Sequence, residues 1–421
     1  MSLEWNNRST DVVQETLLTL DRRVLGLNDS GDVTLSATGE FELATALLAS
    51  HVRFASDVPG NIQLQIVREA VVQSKRAKDL SATTVLDEMR KGQKEYKRNP
   101  TQEYTLLSTI SLDNATRIGR RRVGDTTIRF SRVRPKALKL DSEVPNWFRY
   151  KREWWPSGYT FVRTTVMARD EVSAVDTALE SLDMTRAIWN LGFLANLWIM
   201  HYGHPLLPLN KIVLGPVHTL HQLNGELASS GFWIESGQLE PITPKRVENY
   251  PRFSKFERAV RTWVQRAPPS LNVPRLLVRY TRALDERQMS DAFLKLWALL
   301  EELTATSRMT YDTTIQRAVF LKSNRKYHRN LLHFLRSWRN RIVHEGTHAS
   351  EASLYVNQIK HYVEILLLFL LDSAKDFSTL DEFGTFLNSS TDESVVERRI
   401  AHQKRALRIL MRQRDALELG K

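Results

Sequence analysis

Four consecutive segments with helical periodicity occupy the last third of the chain, and they constrain the fold more than any other feature. In the first segment, Phe293, Trp297 and Leu300 recur at the three- and four-residue spacing that places side chains on one helix face. Short connections between such segments favour neighbouring helices in a bundle. The predicted helices span residues 290–307, 311–321, 327–344 and 351–373.

A region nearer the N-terminus has the period of β-strands. Side chains alternate along residues 104–134 and again along 159–167, as they do in strands with one buried face. The tetrapeptide at 123–126, with Gly124 and Asp125 in its centre, is typical of a tight turn between strands. The predicted fold class is therefore α+β: a mixed N-terminal region with a small β-sheet and helices, followed by a C-terminal all-α four-helix bundle.

Further elements complete this prediction. Asp170 is a candidate N-cap for one long helix at 170–201. Residues 91–97 are interpreted as a charged connector, and residues 211–214 as a short strand. The remaining predicted helices span residues 41–54, 61–72 and 394–419, and the last of these is basic.

Four parts follow from these elements and from the proline-rich stretches between them. They are an N-terminal α+β region with a basic hairpin (1–165), a mixed helical middle region (166–275), the helical bundle (276–375) and a basic C-terminal helix (376–421).

Positive charge is concentrated in two places. The chain of 421 residues has a net charge of +12. Residues 117–139 contain nine Lys and Arg residues against one acid, and residues 397–414 contain seven against one. Local basic patches favour an acidic partner such as nucleic acid. The candidate nucleic-acid-binding residues are Arg120, Arg121, Arg122, Arg129, Arg132 and Arg134.

The sequence does not favour a disulfide-bonded, membrane-spanning or metal-binding class of protein. The chain has no cysteine, which excludes disulfides and thiolate metal sites and fits a reducing compartment. No apolar leader and no apolar run long enough to span a bilayer is found, so we expect a cytoplasmic protein without a membrane partner. Two His-x-x-His pairs, at 201–204 and 218–221, lack an accompanying acidic cluster, so no metal or other cofactor is predicted. A Trp- and Arg-rich stretch at 147–155 fits either base stacking or a domain interface equally well.

The third helix of the bundle ends in an unusual polar cluster. Arg336, Asn340 and His344 are spaced i, i+4 and i+8, so they follow one face of the helix. Arg339 and His344 are five residues apart, about 140° around an ideal helix. They converge only if the helix bends or frays near His344, for which Gly346 supplies a stop signal.

These side chains suit metal-independent cleavage of RNA. A histidine with an ordinary pKa near 6.5 exchanges protons near neutral pH, and an arginine stabilises charge on a phosphate. The alternative to a catalytic site is a structural interpretation. The arginines are then ordinary surface residues, and the histidine is favoured at the end of the helix by the helix dipole.

The Arg339-x-x-x-x-His344 spacing, Asn340 after the arginine, and the apolar helices on either side resemble the HEPN superfamily, and most closely its Apea-like branch. The resemblance covers residues 276–375, about a quarter of the chain. It implies a four-helix unit, catalytic roles for Arg339, Asn340 and His344, and a composite site formed where two copies meet in a homodimer. Supporting roles follow for Glu301, which could orient an arginine, and for Arg336 and Arg341 as phosphate contacts.

Two functions remain open. The first is a metal-independent endoribonuclease that acts as a toxin or phage-defence effector on RNA, with tRNA as one candidate and an antitoxin or trigger protein as a further partner. The second is a non-catalytic RNA- or DNA-binding regulator that uses the bundle for dimerisation.

Overall fold

The structure is a computed structural model, and it is described here for most of the chain. The described residues are 3–6, 10–28, 32–35, 38–55, 57–116, 118–139, 155–193, 209–228, 232–235, 242–306, 309–345, 352–390 and 393–419. Within them the protein is a mixture of helices and antiparallel strands, as the α+β prediction requires.

The first hundred residues form a mostly helical unit with a core of its own, in which Leu48, Val67 and Met89 are fully buried. Two small antiparallel pairs, β1 with β4 and β2 with β3, complete this unit. A π-helical turn at Leu20–Val24 extends the first helix. The elements are β1 (Glu4–Trp5), α1 (Thr10–Thr19), β2 (Leu25–Leu27), β3 (Val33–Leu35), α2 (Thr38–Ser50), β4 (Val52–Arg53), α3 (Gly60–Arg76) and α4 (Ala82–Arg98).

A six-stranded antiparallel sheet follows. Its strands are β5 (Gln102–Asp113), β6 (Arg121–Val123), β7 (Thr126–Ser131), β8 (Tyr159–Ala168), β9 (Val217–Gln222) and β10 (Trp233–Ile234). Their order across the sheet is β10-β9-β5-β8-β7-β6. Strands β6 and β7 form the predicted hairpin, and Gly124 in its turn has a φ of +53°, a conformation that glycine adopts readily.

Helix α5 (Glu171–Gly192) packs on one face of this sheet, where Val175 and Ala178 meet Leu106 and Val166. Asp170 caps the helix as predicted, since its carboxylate accepts a hydrogen bond from the Ser173 N–H at 2.8 Å.

The rest of the described chain is helical. Its elements are α6 (Tyr250–Arg266), a 3₁₀ turn (Pro269–Leu271), α7 (Val273–Leu284), α8 (Met289–Leu303), α9 (Tyr311–Ala318), α10 (Arg325–Glu345), α11 (Ala352–Asp372), a 3₁₀ turn (Ala374–Asp376), α12 (Leu380–Phe386) and α13 (Glu393–Leu419). One cluster of buried residues runs from Ile110 in the sheet to Leu387 after α12. The sheet, α5 and helices α6 to α12 therefore share a core. The predicted boundaries after residues 165 and 275 fall inside β8 and α7.

Helix α11 is the one described helix that is long and apolar enough to cross a membrane by length and composition, and half of its apolar window is buried inside the protein. Ile359, Val363 and Leu370 lie in the shared core.

Most of the predicted helices are confirmed, with ends shifted by a few residues. The connector at 91–97 is wrong, because these residues continue α4, which buries only Val85 and Met89 and so has a narrow apolar stripe. The strand at 211–214 is also wrong, since Leu214 makes only an isolated bridge to Ile110. Helix α2 stops at Ser50, before the predicted end, because Val52 and Arg53 pair with β1. The predicted extension of α5 beyond residue 193 lies outside the described residues.

Candidate functional site

Helix α10 presents the polar cluster because its other side is anchored in the core. Leu332, Leu335, Trp338 and Ile342 are buried at helical spacing. The Trp338 ring packs edge-on against Phe293 of α8, with centroids 4.4 Å apart. These contacts fix the rotation of the helix, so that Arg336 and Arg339 flank the buried side and are half-buried, whereas His344 is exposed.

Two arginines of the cluster share one aromatic platform. The guanidinium groups of Arg336 and Arg339 lie 4.7 Å and 5.5 Å from the ring centroid of Tyr311, the first residue of α9. Both distances fall within the range of cation–π attraction. Arg336 also pairs with the carboxylate of Asp312 at 3.4 Å, but this carboxylate is 76% exposed and the pair is weak. The ring thus holds two positive charges side by side.

His344 lies on a different side of α10 from the Tyr311 ring. The helix continues through Glu345, one residue beyond His344, and Gly346 lies outside the described residues. At ideal helix geometry Arg339 and His344 are about 140° apart around the axis. Asn340 lies between them and is half-buried, and its side-chain oxygen accepts a long hydrogen bond from Arg339 at 3.4 Å. His344 itself is exposed. In one chain, Arg339, Asn340 and His344 thus lie at successive positions around the helix axis.

The two remaining residues with predicted supporting roles, Glu301 and Arg341, have different surroundings. The Glu301 carboxylate accepts a hydrogen bond from the indole N–H of Trp297 at 2.7 Å, and within the described residues it forms no ion pair with an arginine. Its orienting role stays a prediction. Trp297 also lies 6.4 Å from Tyr311, centroid to centroid, so Glu301 is near the platform. Arg341 is exposed on the outer face of α10.

Sequence reasoning missed Tyr311 and Trp297, although both lie against the cluster. Each was interpreted only as part of a helix. No local pattern marks Tyr311 as an arginine platform, because the contact joins residues that are 25 or more positions apart along the chain.

The arginines of the β6–β7 hairpin divide into two kinds. Arg121 turns inward and binds Glu257 of α6 through two hydrogen bonds of 2.6 Å and 2.7 Å, and the Glu257 side chain is only 3% exposed. Arg121 therefore joins the sheet to α6. Arg122, in contrast, has a side chain that is 70% exposed and pairs weakly with Asp125 at 3.6 Å.

The other candidate arginines of this region lie at the surface. Arg120, Arg129 and Arg132 are exposed, whereas Arg134 is half-buried. Arg120 donates to the Thr127 hydroxyl at 3.0 Å, and Arg132 and Arg134 donate to main-chain carbonyls. These positions leave charge available to a polyanion. Arg117 lies outside the described residues.

A matched pair of variants separates the two kinds of arginine. Arg122→Ala should weaken RNA binding and reduce the slope of log K against log salt by about 1, the share of one neutralised phosphate. Its melting temperature should stay unchanged. Arg121→Ala should lower the melting temperature, because it leaves the buried Glu257 without its counter-charge. Salt titrations of RNA binding and thermal melts of both variants measure this. Equal salt slopes for wild type and Arg122→Ala would show that the hairpin is not part of the RNA-binding surface.

The histidine pair at 218–221 has a structural role. His218 is bound by the Ser108 hydroxyl at 2.8 Å and lies 3.2 Å from Glu235. His221 is bound by the Thr219 hydroxyl at 2.9 Å, and burial lowers the pKa of its imidazole. Both rings are fully buried in the sheet. Among the described residues, no group of three potential metal ligands is found.

The pair at 201–204 and most of the Trp-rich stretch at 147–155 lie outside the described residues. Trp155 is described, and its ring packs 5.5 Å from that of Phe161 in β8. This contact with the adjoining strand leaves the choice between base stacking and a domain interface open.

Searches of family models, of curated proteins and of solved structures found no match to this chain.

Proposed function

We propose that this chain is a metal-independent endoribonuclease of the HEPN type, acting as a toxin or phage-defence effector. The observation that carries the proposal is the pair of arginines, Arg336 and Arg339, stacked on Tyr311 on the helix that also presents Asn340 and His344. Guanidinium groups bind phosphate with paired donors. An imidazole beside a bound phosphodiester supplies the proton exchange that cleavage needs.

The reaction requires no added nucleophile. His344 takes the proton of a ribose 2′-hydroxyl, whose oxygen attacks the adjacent phosphorus. The bond from phosphorus to the 5′-oxygen breaks, the departing oxygen takes up a proton from water, and His344 returns its proton to the solvent. Arg339 and Arg336 stabilise the negative charge on the crowded phosphorus, a contribution that exists mainly in the transition state. The products end in a 2′,3′-cyclic phosphate and a 5′-hydroxyl.

Geometry favours a site made by two copies. On one regular helix, Arg339 and His344 diverge by about 140°, so one phosphate does not lie midway between them. Around a two-fold axis, His344 of one copy faces the arginines of the other. The outer face of α10 also exposes apolar surface, with Phe334 43% and Tyr327 59% exposed. Apolar side chains on this face are suited to be buried in a homodimer.

Disruption of this face should therefore separate the copies. Phe334→Glu places a charge on the proposed interface, so we expect it to convert a dimer into a monomer and to abolish cleavage without altering any motif residue. Light scattering at micromolar concentration measures the mass, and a thermal melt checks folding, since Phe334 also contacts Tyr355. Leu223→Glu is the matched control, because Leu223 is 78% exposed and lies just past the end of β9. A wild-type monomer that still cuts RNA would overturn the composite site.

One observation favours the alternative, a non-catalytic RNA- or DNA-binding regulator that uses the bundle to dimerise. Glu301 bonds to Trp297 and not to Arg339, and the carboxylate beside Arg336 belongs to the exposed Asp312. Exposed basic side chains along α13 and the hairpin suit binding without chemistry. Cleavage of RNA in EDTA distinguishes the two functions: the nuclease cuts, and His344→Ala does not, whereas the regulator binds RNA and leaves it intact.

A further inference from the structure

A cavity of about 560 Å³ lies between the β6–β7 hairpin and helices α5 and α6. One side of α5 lines it, because Thr177, Ser181 and Met184 follow one another at spacings of four and three residues. On α6, Arg261 and Val264 line the opposite side in the same way. The volume falls within the range of pockets that bind small molecules.

The buried part of the cavity lining is mainly apolar. Val166 of β8 and Met184 and Ile188 of α5 line the cavity and are buried. Among them lies one polar pair, since the Ser181 hydroxyl donates to the Thr126 hydroxyl at 3.1 Å and both residues are buried. A hydroxyl both donates and accepts hydrogen bonds, so this pair can also bond to a ligand.

Arg261 brings a positive charge to this apolar surface. Its side chain is half-buried and donates a hydrogen bond to the main-chain carbonyl of Arg122 in the hairpin. Burial lowers the pKa of the Arg261 guanidinium, the Glu257 carboxylate raises it, and Arg121 lowers it again. Glu257 accepts two hydrogen bonds from Arg121, so two guanidinium groups share one carboxylate. The net lowering shows that the carboxylate offsets the burial of the Arg261 charge only in part.

The edge of the cavity carries a second cation. Arg122 and Asp125 of the hairpin both line it, with side chains that are 70% and 98% exposed, and they form a weak pair at 3.6 Å. Together with Arg261, the charged residues of the lining are two arginines and one aspartate. The cavity thus combines an apolar interior with net positive charge at one side.

We propose that this cavity binds a small organic anion that has an apolar body and a phosphate or carboxylate head. The apolar body displaces water from Val166, Met184 and Ile188, which is favourable for apolar surface. The head accepts charge-assisted hydrogen bonds from Arg261, whose planar fork matches both kinds of anion. A bound anion also offsets the cost of burying the Arg261 charge.

This site is separate from the motif on α10. The residues that line the cavity belong to the hairpin, β8, α5, α6 and α7, so the site binds its ligand whether or not the chain cleaves RNA. Arg122 is the one lining residue that is also a candidate contact to RNA. The binding measurements are therefore made without RNA.

Decanoate is the first probe, because it joins an apolar chain to a carboxylate. We expect calorimetry on the full chain to show saturable binding, and Arg261→Met to lower the affinity by at least about tenfold, the loss expected for a charged donor. Arg258→Met is the matched control, since Arg258 is exposed on the same helix and does not line the cavity. Absence of saturable binding, or equal losses in the two variants, would overturn the site.

Decanol and decyl phosphate test the role of the head. Decanol has the same chain without a charge, so it should bind the wild type at least about tenfold more weakly than decanoate. It should also bind Arg261→Met and the wild type about equally. Equal affinities of the wild type for decanol and decanoate would show that the cavity does not recognise an anion. Tighter binding of decyl phosphate than of decanoate assigns a phosphate head to the ligand, and weaker binding assigns a carboxylate.

Methionine methyl signals locate the ligand in the unaltered protein, so that this result does not depend on the folding of a variant. Met167 and Met184 line the cavity, whereas Met89 is buried in the N-terminal unit and Met411 is exposed on α13. Decanoate should shift the NMR signals of Met167 and Met184 over the concentrations at which calorimetry shows binding, and it should leave that of Met89 in place. A shift of Met411 without a shift of Met184 would place the ligand on α13 and overturn the proposal.

Discussion

His344→Ala and Arg339→Ala are each expected to slow RNA cleavage in EDTA by about 10²-fold or more. The first variant removes the group that exchanges protons with the 2′-hydroxyl, and the second removes a cation that stabilises charge on phosphorus; each kind of loss has this size. The effect should appear in kcat at saturating RNA, because both contributions are made in the transition state. Product ends should be 2′,3′-cyclic phosphate and 5′-hydroxyl.

Matched controls make this result specific. His333 lies on the same helix but outside the motif and is half-buried, so His333→Ala should cut RNA at close to the wild-type rate. A substrate with a 2′-deoxyribose at the cleavage position should resist, since it lacks the nucleophile. Undiminished cleavage by His344→Ala would remove this histidine from the mechanism. Activity that needs magnesium would place the chemistry elsewhere in the chain.

The sequence predicted elements well where the period of apolar residues is set by one broad buried face. Helices α8, α10 and α11 bury wide stripes in the shared core, and the predicted spans match them within a few residues. Helix α4 was not predicted, because its buried stripe holds only Val85 and Met89. A narrow stripe on a charged helix has the composition of a solvated connector, and only the tertiary contacts reveal it.

The candidate site could likewise be predicted only in part. Local spacing placed Arg336, Asn340 and His344 along α10, and this placement depends only on helix geometry. The contacts of Arg339 with Tyr311 and of Arg121 with Glu257 could not be predicted from the sequence. They join residues that are 28 and 136 positions apart. Charge counts alone cannot separate Arg121, which holds two elements together, from the exposed Arg122 next to it.

The largest effect on stability is expected from Arg186, which joins α5 to the end of α7. Its guanidinium is fully buried and reaches Asp183 at 2.6 Å and Asp285 at 2.8 Å. It also donates to the Ile212 carbonyl at 3.1 Å. Arg282 supplies a second cation to Asp183 at 2.8 Å, but its side chain is 52% exposed. Arg186 is thus the buried counter-charge of two carboxylates.

Arg186→Met should therefore lower the free energy of unfolding by about 3–5 kcal/mol, the cost of leaving buried charge uncompensated. Urea unfolding followed by tryptophan fluorescence reports it, since Trp189 is buried one turn further along α5. Arg282→Met should cost far less, because the exposed arginine is screened by solvent. Arg186→Met combined with Asp285→Asn should recover part of the loss, because the second change removes one orphaned charge and keeps an acceptor for Asn210. A loss below about 1 kcal/mol in Arg186→Met would show that water or rearrangement satisfies these carboxylates, and that the ion pairs do not hold α5 against α7.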